Sequence, residues 1–241
     1  MMRRFHALSM VRIAVLVCSV GVLLSSFPAT TVWAGDDREA QDLIDRSRMT
    51  LNNFVADPNM TWFRDHIADA KGLFIVPQYL KGAFFFGAAG GSGVLMARDE
   101  TTDVWSEPAF FVMGAGSFGF QFGAEAAEVV LLILSQKGVE SLLLGNFKLG
   151  ADGSVAVGPV GAGVAGATTP NLSADLLSFV RAKGLFAGVS LEGAVLKAKD
   201  EWNSAYYGKP VTPTDIIIRR EVQNPYTERL REAIENAVKR N

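Results

Sequence analysis

From Asp36 to Val55 the apolar positions Ala40, Leu43, Ile44, Leu51, Phe54 and Val55 recur at helical spacing, and Asp36, Asp37 and Glu39 stand ahead of them. Acids are favoured in a helix's first turn, so the pattern predicts an amphipathic helix over 36–55 that starts there. A second short helix is predicted over Met60–Ala70, with Trp62, Phe63 and Ile67 turned inward. The period then changes from helical to two. "GLFIVPQYL", "GAFFFGAAGGSGVLMARD", "AFFVMGAGSFGFQFG" and "VVLLILS" are aromatic and branched runs punctuated by glycine, which predicts strands. Phe118, Phe120 and Phe122 alternate with Gly119, Gln121 and Gly123. A strand with one aromatic face and one nearly bare face implies a strongly coiled sheet or small barrel.

Beyond that, "SQKGVESLL" (135–143) predicts a brief helix, and "FKLGADGSVAVGPVGAGVAG" resumes strand around a turn at Asp152-Gly153. "ADLLSFVRAKGLFAGVSLEGAVLKAK" predicts two strands meeting at Lys183-Gly184. The tail "NPYTERLREAIENAVKR" predicts a helix capped by Asn224, with Pro225 at its first position and Leu230, Ile234 and Ala237 on one face. The fold class expected is therefore α+β: a curved, mainly antiparallel sheet or small barrel with helices at both ends. No linker divides residues 35–241, which read as a single domain.

The first 34 residues stand apart from this pattern. Arg3, Arg4 and Arg12, the apolar "IAVLVCSVGVLL" and the small-residue ending "VWA" make an export signal with cleavage between Ala34 and Gly35. Two alternatives stay open: retention of the stretch as an anchor, and lipid attachment at Cys18, against which Val17 occupies a position that wants a smaller residue. The expected location is exported, periplasmic or membrane-associated.

Lys and Arg number 23 against 25 Asp and Glu. Without the three leader arginines the balance is 20 against 25, a net charge of −5, which is not a nucleic-acid binder's balance. Cys18 is the sole cysteine, so the domain has no disulfide, cysteine nucleophile or cysteine metal ligand.

Chemical motifs fail on context. "GAGSFG" (114–119) and "GAGVAG" (161–166) match a dinucleotide fingerprint, but the first runs into a strand and the second into "ATTPN", where a helix is required. "AGSFG" around Ser117 brushes a hydrolase nucleophile elbow, yet the domain's one histidine, His66, precedes the serine instead of following it. His66 beside Asp65 and Asp69 reads as a solvated or capped histidine, and Asp99-Glu100 as a turn. No enzyme, metal or cofactor is expected.

"AKGLF" occurs twice, at 70–74 and 182–186. Geometry alone gives the glycine to a turn, Leu and Phe to the core and the lysine to water. The blocks "AKGLFIVPQYLKGAFFFGAAGGSGVLMARD", "WSEPAFFVMGAGSFGFQFGAEAAEVVLLI" and "KGLFAGVSLEGAVLKAKDEWNSAYYG" resemble, in the same order, the signature blocks of the SYLF family, also called the Ysc84 actin-binding domain family. The resemblance spans roughly residues 40–220 and implies a non-catalytic domain of the exported bacterial type that binds anionic, phosphoinositide-like headgroups. A structural or protein-interaction module of the envelope is the alternative. An acidic lipid binder must gather its cations locally, and those flanking the two "AKGLF" copies are Lys71, Lys81, Arg181, Lys183, Lys197 and Lys199, with Phe74 and Phe186 as the neighbouring aromatics. The expected partner is an anionic phospholipid surface, with a protein partner in the envelope possible. Actin is not expected, since export removes the chain from cytoplasmic filaments, and the polar face of the 36–55 helix is net acidic.

Overall fold

The structure, a computed structural model, describes residues 31–83, 86–118, 123–161, 173–182, 185–186 and 191–239. Residues 1–30 of the export-signal reading, the Phe120 and Phe122 positions, most of "GAGVAG" and the Lys183-Gly184 link lie outside the described residues. Helix α1 runs from Thr31 to Ala56. It begins before Asp36, so the acids expected in its first turn lie beyond that turn. Helix α2 (Thr61–His66) passes into a 3-10 turn (Ile67–Asp69) that leads directly into the sheet.

Strands β1 (Gly72–Ala83), β2 (Phe86–Ala97), β3 (Ala109–Phe118) and β4 (Gly123–Ile133) form the centre, in the spatial order β3-β2-β1-β4. β1, β2 and β3 meander and β4 returns beside β1, a Greek-key arrangement. Helix α3 (Gln136–Leu142) follows, capped by Ser135, whose hydroxyl accepts from the Gly138 amide. Then come β5 (Asn146–Lys148), β6 (Val155–Val157), β7 (Leu176–Ala182), β8 (Leu185–Phe186) and β9 (Val195–Ala198). Helices α4 (Asp200–Tyr207), α5 (Pro213–Ile217) and α6 (Glu228–Lys239) complete the chain, α6 entered through a 3-10 turn at Pro225–Thr227 on the Asn224 cap.

The expected turn at Asp152-Gly153 is present, but β5 and β6 on either side of it do not pair. β5 joins β9 at one edge of the sheet, while β6 joins β7, in parallel, at the other. A link this short can reach both edges only if the sheet curls strongly. The two "AKGLF" copies also serve different ends. The first carries the chain from a 3-10 turn into β1, whereas the second joins two paired strands, β7 and β8.

Both faces of the central strands are buried at one end. Leu73, Ile75, Val94, Met96, Phe110, Val130, Leu132, Leu177 and Phe179 pack against α1, α2, α4 and α6. Phe74, Leu95, Phe111, Met113, Val129 and Leu131 alternate with them and face the inside of the curl with α3, α5 and β5. Asp175 ties α3 to the β6–β7 edge: its carboxylate accepts from Ser135 Oγ at 2.7 Å and Ser154 Oγ at 2.9 Å, and these bonds hold its pKa below the usual carboxylate range. A depressed folded-state pKa stabilises the fold above the ordinary value near 4, and that contribution disappears as pH falls through the depressed one. Acid titration of thermal stability should therefore lose a step in Asp175→Asn relative to the parent.

Proline is ordinarily excluded from a central strand because it cannot donate to the ladder. Pro77 nonetheless sits in β1, between β2 and β4. β1 carries one extra residue here against both neighbours: Ile75 pairs with Val94 and Leu80 with Gly90, while Val76 pairs with Val129 and Tyr79 with Ala127. The bulge bends β1 and divides the sheet into a helix-covered half and a half that runs past the helices.

Candidate functional site

Beyond the bulge, the face of the sheet that carries the helices elsewhere is left uncovered. Its residues follow from the register. Ala126, Leu80, Gly90, Gly114, Val195 and Lys148 form one rung across β4, β1, β2, β3, β9 and β5. Ser92, Val112, Lys197 and Asn146 form part of the next. Leu80 is 52% exposed, Val112 38% and Val195 39%, which makes an apolar surface beside α1, where Met49 is 58% exposed.

Gly114 and Gly116 on this face lack the steric reason that explains the glycines of the other, although a Cβ at Gly90 would lie 3.1 Å from Met113 O. A Cβ at Gly116 would meet nothing within 4 Å, and at Gly114 nothing nearer than Ala89 O at 3.9 Å. By contrast, a Cβ at Gly93, on the inner face, would lie 2.7 Å from Ile75 O.

Three lysines stand at the β9–β5 side of the open face. Lys197 and Lys148 are exposed there, on alternate positions to the buried Leu196 and Phe147. Lys199 is half-buried, with Nζ 3.1 Å from the centre of the Trp202 ring and 3.5 Å from Ser92 Oγ. Desolvation lowers its pKa, against the opposing pull of Glu39, Asp36 and Glu201. The same acids show how α1 crosses the strands: its start lies near Lys199, and near its other end Thr50 and Asn53 donate to Glu128 of β4 at 3.0 and 3.2 Å.

The residues singled out from sequence distribute unevenly. Lys197 and Lys199 share the open face. Arg181 lies on the same side of the sheet but is held by Glu128 at 3.0 Å and Asp57 at 3.8 Å. Lys71 stands at the far end of β1, 3.8 Å from Glu100, and Lys81 is ten positions along the same strand on the other face. Phe74 is fully buried and edge-on to Phe111, so it belongs to the core and does not present its ring to a membrane. Phe186 is placed by its backbone in β8, and Lys183 lies outside the described residues. Lys148, in "NFKLG", was missed: its only signal was alternation in a three-residue strand, and its neighbour β9 follows almost fifty residues later.

The other motifs resolve into structure. Gly114 and Gly116 of "GAGSFG" are mid-strand in β3, with no helix opening there. His66 Nδ1 lies 2.9 Å from Trp62 O and its ring stacks on Trp62 at 3.8 Å. Asp99 accepts from the Thr101 and Thr102 amides, as its turn requires. In "WNSAYYG", fully buried Asn203 accepts from Phe110 N at 2.9 Å and donates to Phe110 O at 3.3 Å, while Tyr207 donates to Pro108 O at 2.7 Å. That block docks α4 on β3. Among the described residues no cluster of side chains could hold a metal ion, and no helix is long and apolar enough to cross a membrane.

Comparison with known proteins adds a family. The model of the family described as "Ysc84: Las17-binding protein actin regulator" matches residues 114–237. The chain is 35% identical over 170 residues to the rat "SH3 domain-containing YSC84-like protein 1", covering 70% of this chain and 49% of the relative. It is 38% identical over 153 residues to the human protein of the same name, 63% of this chain and 44% of that one. With "Protein YSC84" of Saccharomyces cerevisiae it shares 32% over 201 residues, 79% of this chain and 42% of the relative. The chain thus spans about half the length of the curated relatives it matches.

Proposed function

This chain belongs to the Ysc84 family, and on that footing we propose that it is a non-catalytic, exported protein of the cell envelope that attaches to anionic phospholipid through the open sheet face. The observation that carries the reading is the gathering of Lys148, Lys197 and Lys199 beside the exposed Leu80, Val112 and Val195. Apolar side chains can enter the headgroup boundary while neighbouring ammonium groups meet phosphate. Bare glycines between them let the surface lie close.

Each cation at an anionic surface contributes about 1 kcal/mol. Lys148→Ala/Lys197→Ala should therefore weaken partition onto anionic vesicles about 30-fold at low salt, two such contributions converted at 1.4 kcal/mol per decade. Lys71→Ala, at the far end of β1, should leave it unchanged. The assay is co-sedimentation of Asp36–Asn241, a compact unit in itself, with neutral and with anionic vesicles at low and high salt. Absence of binding to any vesicle, or binding indifferent to salt and to the lysine pair, rejects the reading.

The family description favours a second reading, a protein-interaction module, since it names a protein partner. An exported chain meets no cytoplasmic filament, so the partner in that case would be another envelope protein. A folded domain that ignores every vesicle would direct the search there.

A further inference from the structure

Between α1 and the bulge of β1 lies an open groove of about 460 Å³. Met49, Pro77 and Ala126 give it apolar walls, and its polar atoms are largely consumed by one another. Glu128 Oε1 accepts from Thr50 and Asn53 and Oε2 from Arg181, whose Nε faces Asp57. Arg46 is different. It lines the groove, its Nε donates to Asp42 O on its own helix, and it makes no ion pair among the described residues.

A concave apolar site of a few hundred cubic ångströms with one uncommitted cation is built for a ligand that is mostly hydrocarbon and ends in an anion. The groove opens onto the face that carries the lysines, since Ala126 is the register partner of Leu80. From Ala126 to Val195 is four strand spacings, about 19 Å, against the roughly 15 Å of one leaflet of a bilayer core.

We propose that this groove takes one acyl chain of a bound phospholipid, with Arg46 at its mouth receiving the charged end, so that the protein holds an individual lipid as well as resting on a surface. This rests on the phospholipid reading above and goes beyond it, since surface attachment alone needs no groove.

The test uses 1-palmitoyl lysophosphatidylglycerol below its micelle concentration, titrated into the domain, with 12- and 14-carbon analogues and palmitate as further arms. Affinity should rise about twofold per added methylene, half the effect of complete burial. The phosphoglycerol analogue should bind at least as well as palmitate; a clear preference for free palmitate would overturn the assignment to phospholipid. Ala126→Phe, which fills the groove from a half-exposed position, should weaken lysolipid binding at least tenfold. Lysolipid binding without chain-length dependence, or unchanged in Ala126→Phe, overturns the groove even if vesicles still bind. Failure of the parent to bind vesicles removes the reading beneath it. Should Ala126→Phe misfold, nitroxide at the chain end of the lysolipid, added to the parent protein, decides: broadening centred on the Met49, Gln78 and Ala126 amides supports the site, and its absence there overturns it.

Discussion

Glu107→Ala should lower stability by about 3 kcal/mol, the low end of the loss expected when one partner of a buried ion pair is removed. Glu107 precedes β3 and is almost completely buried. Arg231 Nη2 of α6 donates to its Oε1 at 2.5 Å, Thr227 Oγ1 to its Oε2 at 2.6 Å and the Asn224 amide to the same oxygen at 3.3 Å. Behind Thr227 stands Tyr206 at 3.0 Å, its phenol pKa pushed well up by burial. One carboxylate thus fastens the C-terminal helix and its entry turn to the sheet. Arg231 keeps Glu228 at 2.7 Å, which sets the loss at the low end. At about 2–4 °C per kcal/mol for a domain of this size, the melting temperature should drop by about 6–12 °C. Glu107→Met/Arg231→Met should recover most of the loss, because replacing the whole pair strands no charge. Urea denaturation of the parent and both variants measures this, and a double variant as weak as the single one would refute the assignment.

Gly91→Val should cost at least about 3 kcal/mol, at or above the usual range for overpacking. A Cβ at Gly91 would lie 2.2 Å from Gln78 O and 2.8 Å from Val76 Cγ1, inside the bulge around Pro77. The bulge has little freedom to withdraw, since β1 is paired on both sides and the proline ring fixes its φ. Gly116→Val on the open face should be neutral or mildly stabilising: nothing lies within 4 Å, and a branched residue suits a strand better than glycine. Comparing urea midpoints of the two variants separates glycine kept for packing from glycine kept for the surface. Equal losses would dissolve the distinction.

Helices α1 and α6 were legible because each carries its own periodic stripe, from Ala40 to Phe54 and from Leu230 to Ala237, whereas the short α4 and α5 were not read from the sequence. The central strands were legible from their aromatic and branched runs. Strand neighbours were not, because pairing is decided between distant segments: nothing local in "NFKLGADGSVAV" shows that its two halves belong to opposite edges. The bulge was hidden for a similar reason, as Pro77 reads as an edge signal until Gly91 and Gly93 are seen to make room for it. Of the open face, Lys197 and Lys199 were singled out from the sequence and Lys148 was not. Arg181 looked available because its acids, Asp57 and Glu128, are remote in sequence. Phe74 followed the plain expectation for a strand residue and entered the core.

The placement of β9 bears on how the chain reaches its native state. β3 is complete once Phe118 has been made, yet among the described residues its outer ladder is met over Phe111–Gly114 by Val195–Ala198 alone, and β5 pairs with that same segment. A growing chain therefore carries an unmatched, glycine-rich and aromatic strand border for some eighty residues, the kind of border that recruits other chains. A protein built this way benefits from staying unfolded, or attended by a chaperone, until its last third has emerged.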